Sequence, residues 1–439
     1  MQVLSLPGSK SIINRALICA ALAKGTTCLT NVNFCDDVQG MLENLVRLGI
    51  KIRIGIKRKE VFVFGGGLRQ TNKVISTGEA GTTTRFIIAL AHLIAGKTKI
   101  NCKGHMKNRP VYAILEALSK IQNSKFKIQN DTFPININSN GYINGSITIN
   151  SSISSQFLSA ILLISPYCEN QITINVKGKI TSKPYIDMTL KVMQDFGVKV
   201  ENRNYRKYII KKQMYRSKNK YIIEPDASAA SYFLAYSVQR TAYGVRGNGL
   251  KINGLGTESN QGDVQFINVL KKMGAITECG KTYLKIKPSK LKGITVDMNK
   301  MPDLVQTLAV LALFAQGTTY IKNVYNLRLK ETDRLQALEN ELLKFGDCVE
   351  TGRDWIKVKG IQNSKFKIQN YERAQGNMGT GEQGLGIKSK INIETYNDHR
   401  MAMSFGILEK IFPDKIYVKN KKCVNKSFPG FWELLDKLK

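Results

Sequence analysis

Asn326–Gly346, NLRLKETDRLQALENELLKFG, combines a helix with a cluster of charge at its start. Leu335, Leu338, Leu342 and Phe345 recur at helical spacing and define one apolar face. Gly346 marks the stop. Thr332 is the expected N-cap, with Asp333 in the first turn, where the helix dipole favours a carboxylate. Lys330, Glu331 and Arg334 then gather at a helix N-terminus, a natural place for an anion. A solvated helix start with a surface ion pair has the same local pattern. What surrounds the stretch decides between the two.

Apolar helices rich in small residues recur along the chain. RALICAALAKGTT starts at Arg15, RFIIALAHLIAGKT at Arg85 and QFLSAILLISPY at Gln156. AASYFLAYSVQ follows at Ala229, VQTLAVLALFAQGTT at Val305 and RMAMSFGILEKI at Arg400. The steps between them are 70, 71, 73, 76 and 95 residues. Most lead through a Gly or polar turn into a β-like run such as TTCLTNV or TTYIKNV. A second helix starts near an acid and ends at a Gly: Asp37 to Gly49, Asp187 to Gly197, Asp263 to Gly274, Asp333 to Gly346. The near-constant step predicts six copies of one α/β unit, each with a helix that must be buried against its neighbours. The longer last step has a visible source. IQNSKFKIQN occurs verbatim at 121–130 and 361–370, and the second copy runs on into a Gly-rich polar stretch. A mobile loop is expected over about 362–388.

With 439 residues the chain is too long for one typical core. A hydrophobic content of 43% with 10 prolines fits a folded protein. No run approaches 18 uninterrupted apolar residues, and MQVLSLPGSKSIINR lacks the pattern of a secretory signal. A cytoplasmic protein with no membrane partner is the expectation. None of the eight cysteines forms a C-x-x-C pair and there are three histidines, so a zinc or dithiol site is not supported. The net charge of +33 attracts anions. Yet the Lys is scattered among Ile and Asn, and no arginine-rich arm or aromatic-basic motif occurs, so no specific nucleic-acid partner is expected.

Polar groups open all but one of the apolar helices. In GSKSIINR, Lys10, Ser11 and Arg15 form a potential anion cradle, though not a Walker A loop. GEAGTTTRF supplies Gly81, Thr82 and Arg85, and GHMKNRPV supplies Arg109. SSISSQ supplies Ser154, Ser155 and Gln156, and SKPYID supplies Ser182 and Tyr185. Asp303 follows Pro302, while NDHRMAM brings Asp398, His399 and Arg400 and NKSFPGF brings Lys426. Helix dipoles and cations converging on one cleft suit a substrate with several phosphates or carboxylates. Ordinary capping explains Ser and Asp at these places but not repeated Arg, which the dipole disfavours there.

These motifs, with DASAASYFLA, LKETDRL and NDHRMAM foremost, resemble the 5-enolpyruvylshikimate-3-phosphate synthase family in order from Leu6 to about Phe431. The resemblance implies an enolpyruvyl transferase-like α/β fold, an inside-out α/β barrel of six repeated units, three per domain. One domain would comprise residues 1–9 plus 225–439 and the other 10–224, closing on substrate. It implies transfer of the enolpyruvyl group of phosphoenolpyruvate to the 5-hydroxyl of shikimate 3-phosphate, with no cofactor and no metal, by a monomer. Carried over by motif, Lys10, Ser11, Arg15, Ser154, Ser155, Gln156, Ser182, Tyr185, Asp303, Asn326 and Lys330 would hold shikimate 3-phosphate. Lys10, Gly81, Arg109, Gln156, Arg334, Arg400 and Lys426 would hold phosphoenolpyruvate, with Thr82 and His399 in the pocket. Asp303 would take the hydroxyl proton, Glu331 would protonate the vinyl carbon, and Lys10 would assist. Protonating carbon calls for a carboxylic acid of raised pKa, which a closed site can provide.

One position departs from the family pattern. Glu79 stands where the family usually has an amide, and an extra carboxylate there would act against anion binding. Substrate binding is nevertheless expected to survive. The related UDP-N-acetylglucosamine enolpyruvyl transferases carry a loop cysteine five residues before the matching Arg. Here that position is Gly104, with Cys102 two residues away. An inactive anion-binding scaffold is the reading from another class, and intact Asp303, Glu331, Lys10 and Arg400 weigh against it.

Overall fold

A computed structural model describes residues 1–122, 125–129, 132–239, 249–361 and 390–438. The expected loop at 362–388 lies outside the described residues.

Each apolar segment is a helix paired with a second one in its unit. In order these are α1 (Lys10–Leu22) and α2 (Asp36–Arg47), α3 (Gly81–Ala91) and α4 (Tyr112–Gln122), and α5 (Ser155–Ile164) and α6 (Lys183–Asp195). Then follow α7 (Ala227–Gln239) and α8 (Phe266–Lys272), α9 (Val305–Ala312) and α10 (Arg334–Leu342), and α11 (His399–Ile411) and α12 (Phe431–Asp436). The first helix of each pair is apolar on nearly all sides, so it has no face to give to water. Ile12–Leu22 of α1 and all of α9 are buried throughout. The second helices α2, α6 and α10 bury one face and solvate the other.

Every unit has a sheet that opens with a parallel pair. In five of them an antiparallel hairpin completes four strands, while the last keeps only Ile391–Ile393 beside Ile416–Val418 among the described residues. The hairpin strands alternate with period two. Ile356 and Val358 of WIKVK point inward, as do Leu284 and Ile286 of YLKIK and Tyr208 and Ile210 of KYIIK. Their lysines lie on the other face. Part of the +33 is thus a dispersed coat of outward strand positions, not a patch.

The buried apolar side chains form two clusters. One runs from Ile12 to Ile223, and the other holds Leu4 and Leu6 with Ala227 to Leu438. In the second, Ser231, Thr307 and Ser404 of α7, α9 and α11 link hydroxyls at 3.2 and 3.3 Å, so the polar groups of the helix centres satisfy one another.

Between the cores the chain passes twice, side by side. Ser9 N–H donates to Glu224 O at 2.8 Å and Asp226 N–H to Pro7 O at 2.9 Å, with Gly8 bridged to Pro225. Asp226 accepts from Lys10 N–H and Ala229 N–H, so one carboxylate serves the starts of α1 and α7. Gly8 is required by contact: a Cβ there would lie 2.0 Å from Asn31 O. Gly8→Ala is expected to cost about 1–3 kcal/mol in urea unfolding. A loss under about 0.5 kcal/mol would mean that the crossing relaxes around a methyl group.

The start of α10 differs by one residue from the sequence expectation. Asp333, not Thr332, is the N-cap, accepting from Leu335 N–H and Gln336 N–H at 3.1 Å each. An ionised acceptor also held by Arg328 at 2.7 Å outcompetes a neutral hydroxyl. Leu335, Leu338, Leu342 and Phe345 are buried, and Gly346 ends the segment at φ 117°.

Candidate active site

The N-terminal ends of α1, α3, α5, α9 and α11 meet at one cleft, joined by those of α6 and α10. The start of α7 opens instead on a small neighbouring cavity beside Ser228 and Ala229. The space between its walls, counting the open solvent at the mouth, is about 900 Å³. Both cores line it, with seven Lys and Arg side chains against three carboxylates. N–H groups at helix starts and surplus cations make it a receptor for anions.

Arg334 is the centre of the geometry. It is buried, and its Nε donates to Asp398 Oδ2 at 2.7 Å. Its Nη1 reaches Asp303 Oδ1 at 3.2 Å and its Nη2 reaches Glu331 Oε2 at 2.8 Å. One guanidinium thereby fixes three carboxylates. Asp398 in turn caps α11 through Arg400 N–H at 2.8 Å. The cation that the α10 dipole disfavours is compensated by these acids.

Asp303 is also held by Arg400 Nη2 at 2.8 Å and Lys330 Nζ at 3.3 Å. Burial alone would raise its carboxyl, but Arg400, Lys330 and Arg334 outweigh this and hold it well below the carboxylate range. Glu331 lies 3.4 Å from Arg109 Nη1 and 3.6 Å from Lys426 Nζ. Burial again pushes upward, and Arg334, Arg109 and Lys426 bring the carboxyl well below its usual value. The expected raised Glu331 is reversed here, because the surrounding cations outweigh its burial.

Arg15 and Arg85 are buried without a carboxylate partner among the described residues. Arg15 donates to Thr189 Oγ1, Ser159 Oγ and the carbonyls of Ser11 and Tyr185. Burial pulls it down to about 10. Arg85 donates to Gln156 Oε1 at 2.7 Å and to the carbonyls of Gly81 and Pro110, and burial lowers it as well. Such guanidiniums are kept charged at a cost that an incoming anion offsets. A Cβ on Gly81 would sit 2.7 Å from Nη1 of both Arg85 and Arg109, so glycine leaves room for the two forks.

Other predicted residues stand around these. Ser154 Oγ caps α5 through Gln156 N–H, and Gln156 Nε2 donates to Thr82 Oγ1 at 3.2 Å. Lys10 pairs with Asp37 at 2.6 Å; burial would lower its ammonium, but Asp37 holds it above the usual value. Ser182 is left-handed at φ 55°, a strained backbone of the kind found at binding sites, and its N–H donates to Asn299 O of the other core. Asn326 Oδ1 and both His399 ring nitrogens have no hydrogen-bond partner among the described residues. Burial, then Lys10 and Arg400, keep His399 neutral. With Ser11, Ser155, Tyr185 and Lys330, all of these line the cleft. Lys426 stands just behind it, donating to Glu79 O at 3.0 Å.

Arg85 and Asp37 also line the cleft, although the family pattern supplied no role for either. Arg at a helix start was the available signal for Arg85. For Asp37 it was only the acid opening α2, which any helix could carry. Glu79 does not face the cleft. Its carboxylate lies against Gly104 and 3.4 Å from Asn397 Nδ2, in a separate opening at the rim. Glu79→Asn is therefore expected to change substrate KM values less than about threefold, in line with a weak rim contact. A tenfold rise in the KM of either substrate in steady-state kinetics would put the carboxylate back in the site.

Comparison with known proteins agrees with this architecture. The family model of EPSP synthase (3-phosphoshikimate 1-carboxyvinyltransferase) matches residues 2–435. This chain belongs to the EPSP synthase family. A 3-phosphoshikimate 1-carboxyvinyltransferase of Haemophilus influenzae (strain PittGG) is 40% identical over 444 residues, covering 99% of this chain and 96% of the relative. That of Haemophilus ducreyi is 40% identical over 443 residues, covering 99% and 95%. Among solved structures, an EPSP synthase of Acinetobacter baumannii superposes with a TM-score of 0.75 at 23% identity, covering 99% and 95%. The enolpyruvyl transferase NikO of Streptomyces tendae gives 0.74 at 13% identity, covering 100% and 94%. The fold is thus that of the two-domain enolpyruvyl transferases, as the repeats and the resemblance led one to expect.

Proposed function

We propose that the cleft transfers the enolpyruvyl group of phosphoenolpyruvate to the 5-hydroxyl of shikimate 3-phosphate and releases phosphate. Asp303 takes the hydroxyl proton as the new C–O bond forms, and Glu331 gives a proton to the vinyl carbon. The tetrahedral adduct then returns a proton from its methyl carbon to the Glu331 carboxylate and expels phosphate, which forms the enol ether. The observation that carries this reading is the Arg334 guanidinium, which holds Asp303 on one nitrogen and Glu331 on the other. Two carboxylates locked a fixed distance apart suit a reaction that removes one proton and delivers another.

The low Glu331 pKa fits this scheme once charge is counted. Phosphoenolpyruvate among Arg109, Arg334, Arg400 and Lys426 would take up the charge that holds the carboxyl down. Burial, the first influence on Glu331, would then dominate and favour the protonated acid. Shikimate 3-phosphate would lie between Arg15, Tyr185, Gln156, Asn326 and Lys330, with its phosphate among Lys10, Ser11, Ser154, Ser155 and Ser182. Gly81, Thr82 and His399 complete the phosphoenolpyruvate side. The two cores correspond in this reading to domains 1–9 plus 225–439 and 10–224, whose closing excludes water. One chain supplies the whole set, which supports action as a monomer. No described helix is long and apolar enough to cross a membrane. The cytoplasm is the proposed location.

Gly104 weighs against the UDP-N-acetylglucosamine acceptor. It has φ 51°, and a Cβ would lie 1.9 Å from Glu79 Oε1, so a cysteine has no room there unless Glu79 moves. Phosphate release from phosphoenolpyruvate tests the assignment, run with each acceptor separately. Release with shikimate 3-phosphate alone is expected. Release with UDP-N-acetylglucosamine alone overturns the acceptor assignment, and none with either from folded protein favours an anion-binding scaffold.

A further inference from the structure

Asp263 is a buried carboxylate outside the proton transfers described above. It follows α7 in sequence and sits in the short 3-10 turn Gly262–Gln265 that leads into α8. An acid at such a place normally caps the helix. This one accepts no backbone N–H, and its Oδ1 has no hydrogen-bond partner among the described residues. Instead Oδ2 takes two hydroxyls, Ser228 Oγ from its own core and Tyr185 OH at 3.0 Å from the other. The same Tyr185 hydroxyl lies 3.5 Å from Asp303 Oδ2, at the limit of a hydrogen bond.

A phenol has one proton to give. Distance assigns it to Asp263, so Tyr185 does not occupy Asp303 as a donor, and its own lone pairs remain for other groups. The carboxylate has no cation within ion-pair distance among the described residues. Burial and the neighbouring Asp303 push it up to about 6, against the pull of the Ser228 and Tyr185 hydroxyls and of Arg400. A buried charge of that kind is expensive where only packing is needed.

We propose that Asp263 is a positioning residue for the transfer reaction, holding the Tyr185 hydroxyl across the cleft so that Asp303 stays open to the acceptor hydroxyl. Through Tyr185 it couples the turn before α8 of one core to α6 of the other at the acceptor side of the site. The inference rests on the proposed placement of shikimate 3-phosphate beside Tyr185 and Asp303.

The test is a double-mutant cycle of Asp263→Ala and Tyr185→Phe with Asp263→Asn as the conservative variant. Steady-state kinetics, thermal unfolding and calorimetric titration of shikimate 3-phosphate are read on each. Asp263→Ala is expected to raise the KM and the calorimetric Kd for shikimate 3-phosphate about tenfold, the size of one hydrogen bond to a charged group. The KM for phosphoenolpyruvate should change under about threefold. In the Tyr185→Phe background the Asp263→Ala effect should vanish, and Asp263→Asn, which keeps an acceptor, should recover most of the wild-type affinity. Equal changes in both KM values, or an Asp263→Ala effect that persists in the Tyr185→Phe background, overturn the proposal in favour of a packing role. Turnover absent from the wild type would overturn the proposed activity instead, and the calorimetric cycle would still decide the coupling between Asp263 and Tyr185.

Discussion

Glu331→Gln is expected to fold, to bind shikimate 3-phosphate with near-normal affinity, and to lose about a thousandfold in kcat. Removal of a positioned general acid costs on the order of 10²–10⁴ in rate. Glutamine keeps the shape and the hydrogen bond to Arg334 but has no proton of suitable acidity to give. Arg109, Arg334 and Lys426 lose a shared counter-charge, so the KM for phosphoenolpyruvate should fall rather than rise. Near-normal kcat in this variant would remove Glu331 from the chemistry. Stability gives an independent check. The Glu331 carboxyl is depressed in the folded protein, so its contribution is present above the unfolded pKa and lost as pH falls through the folded one. The wild type should be the more stable protein at pH 7. The gap from Glu331→Gln should close as pH drops below about 4. A gap independent of pH in urea unfolding would mean that the carboxylate charge is not what holds the cluster.

Asp303→Asn should combine a loss of about a thousandfold in kcat with the larger structural penalty. Asp303 is the common acceptor of Arg400, Arg334 and Lys330, and Asn leaves those cations without its charge. The cost is expected to be about 3 kcal/mol in urea unfolding, as for breaking a buried pair from one side. The excess cation makes the variant a better receptor for simple anions. Inorganic phosphate should therefore stabilise it more than it stabilises the wild type, by linkage to the folded state. Equal phosphate effects on the two proteins would mean that Asp303 does not neutralise the site. A variant with normal kcat would end its role as the base.

Much of this molecule can be read from the chain itself. The steps of 70, 71, 73 and 76 residues locate five buried helices because an α/β unit repeats the same packing problem each time. LKETDR and NDHR place Glu331, Arg334 and Arg400 because each motif sits at a helix start, where local order is set within one turn. Contacts made by side chains over longer distances are less legible. Asp333 displaces Thr332 as cap partly because Arg328 reaches it. Glu79 turns to the rim because Gly104 leaves it space there. Asp263 reads as a helix-opening acid until Tyr185 arrives from a segment 78 residues away. The ionisation of Glu331 follows the same rule. A local sequence suggests burial, but the sign of the shift belongs to the cations that the fold collects around it.

The side-by-side passage between the cores also sets an order of assembly. Tyr221–Ile222 pairs in parallel with Leu29–Thr30, so the sheet of the first unit is complete once those residues have been synthesised. Gln2–Leu4 pairs with Leu250–Ile252, and it remains a strand without an edge to join until that later segment emerges. During vectorial synthesis this strand thus waits until Leu250–Ile252 has been made. The first core can close before that strand is paired, which makes the Gly8 crossing the point where one finished body waits for the other.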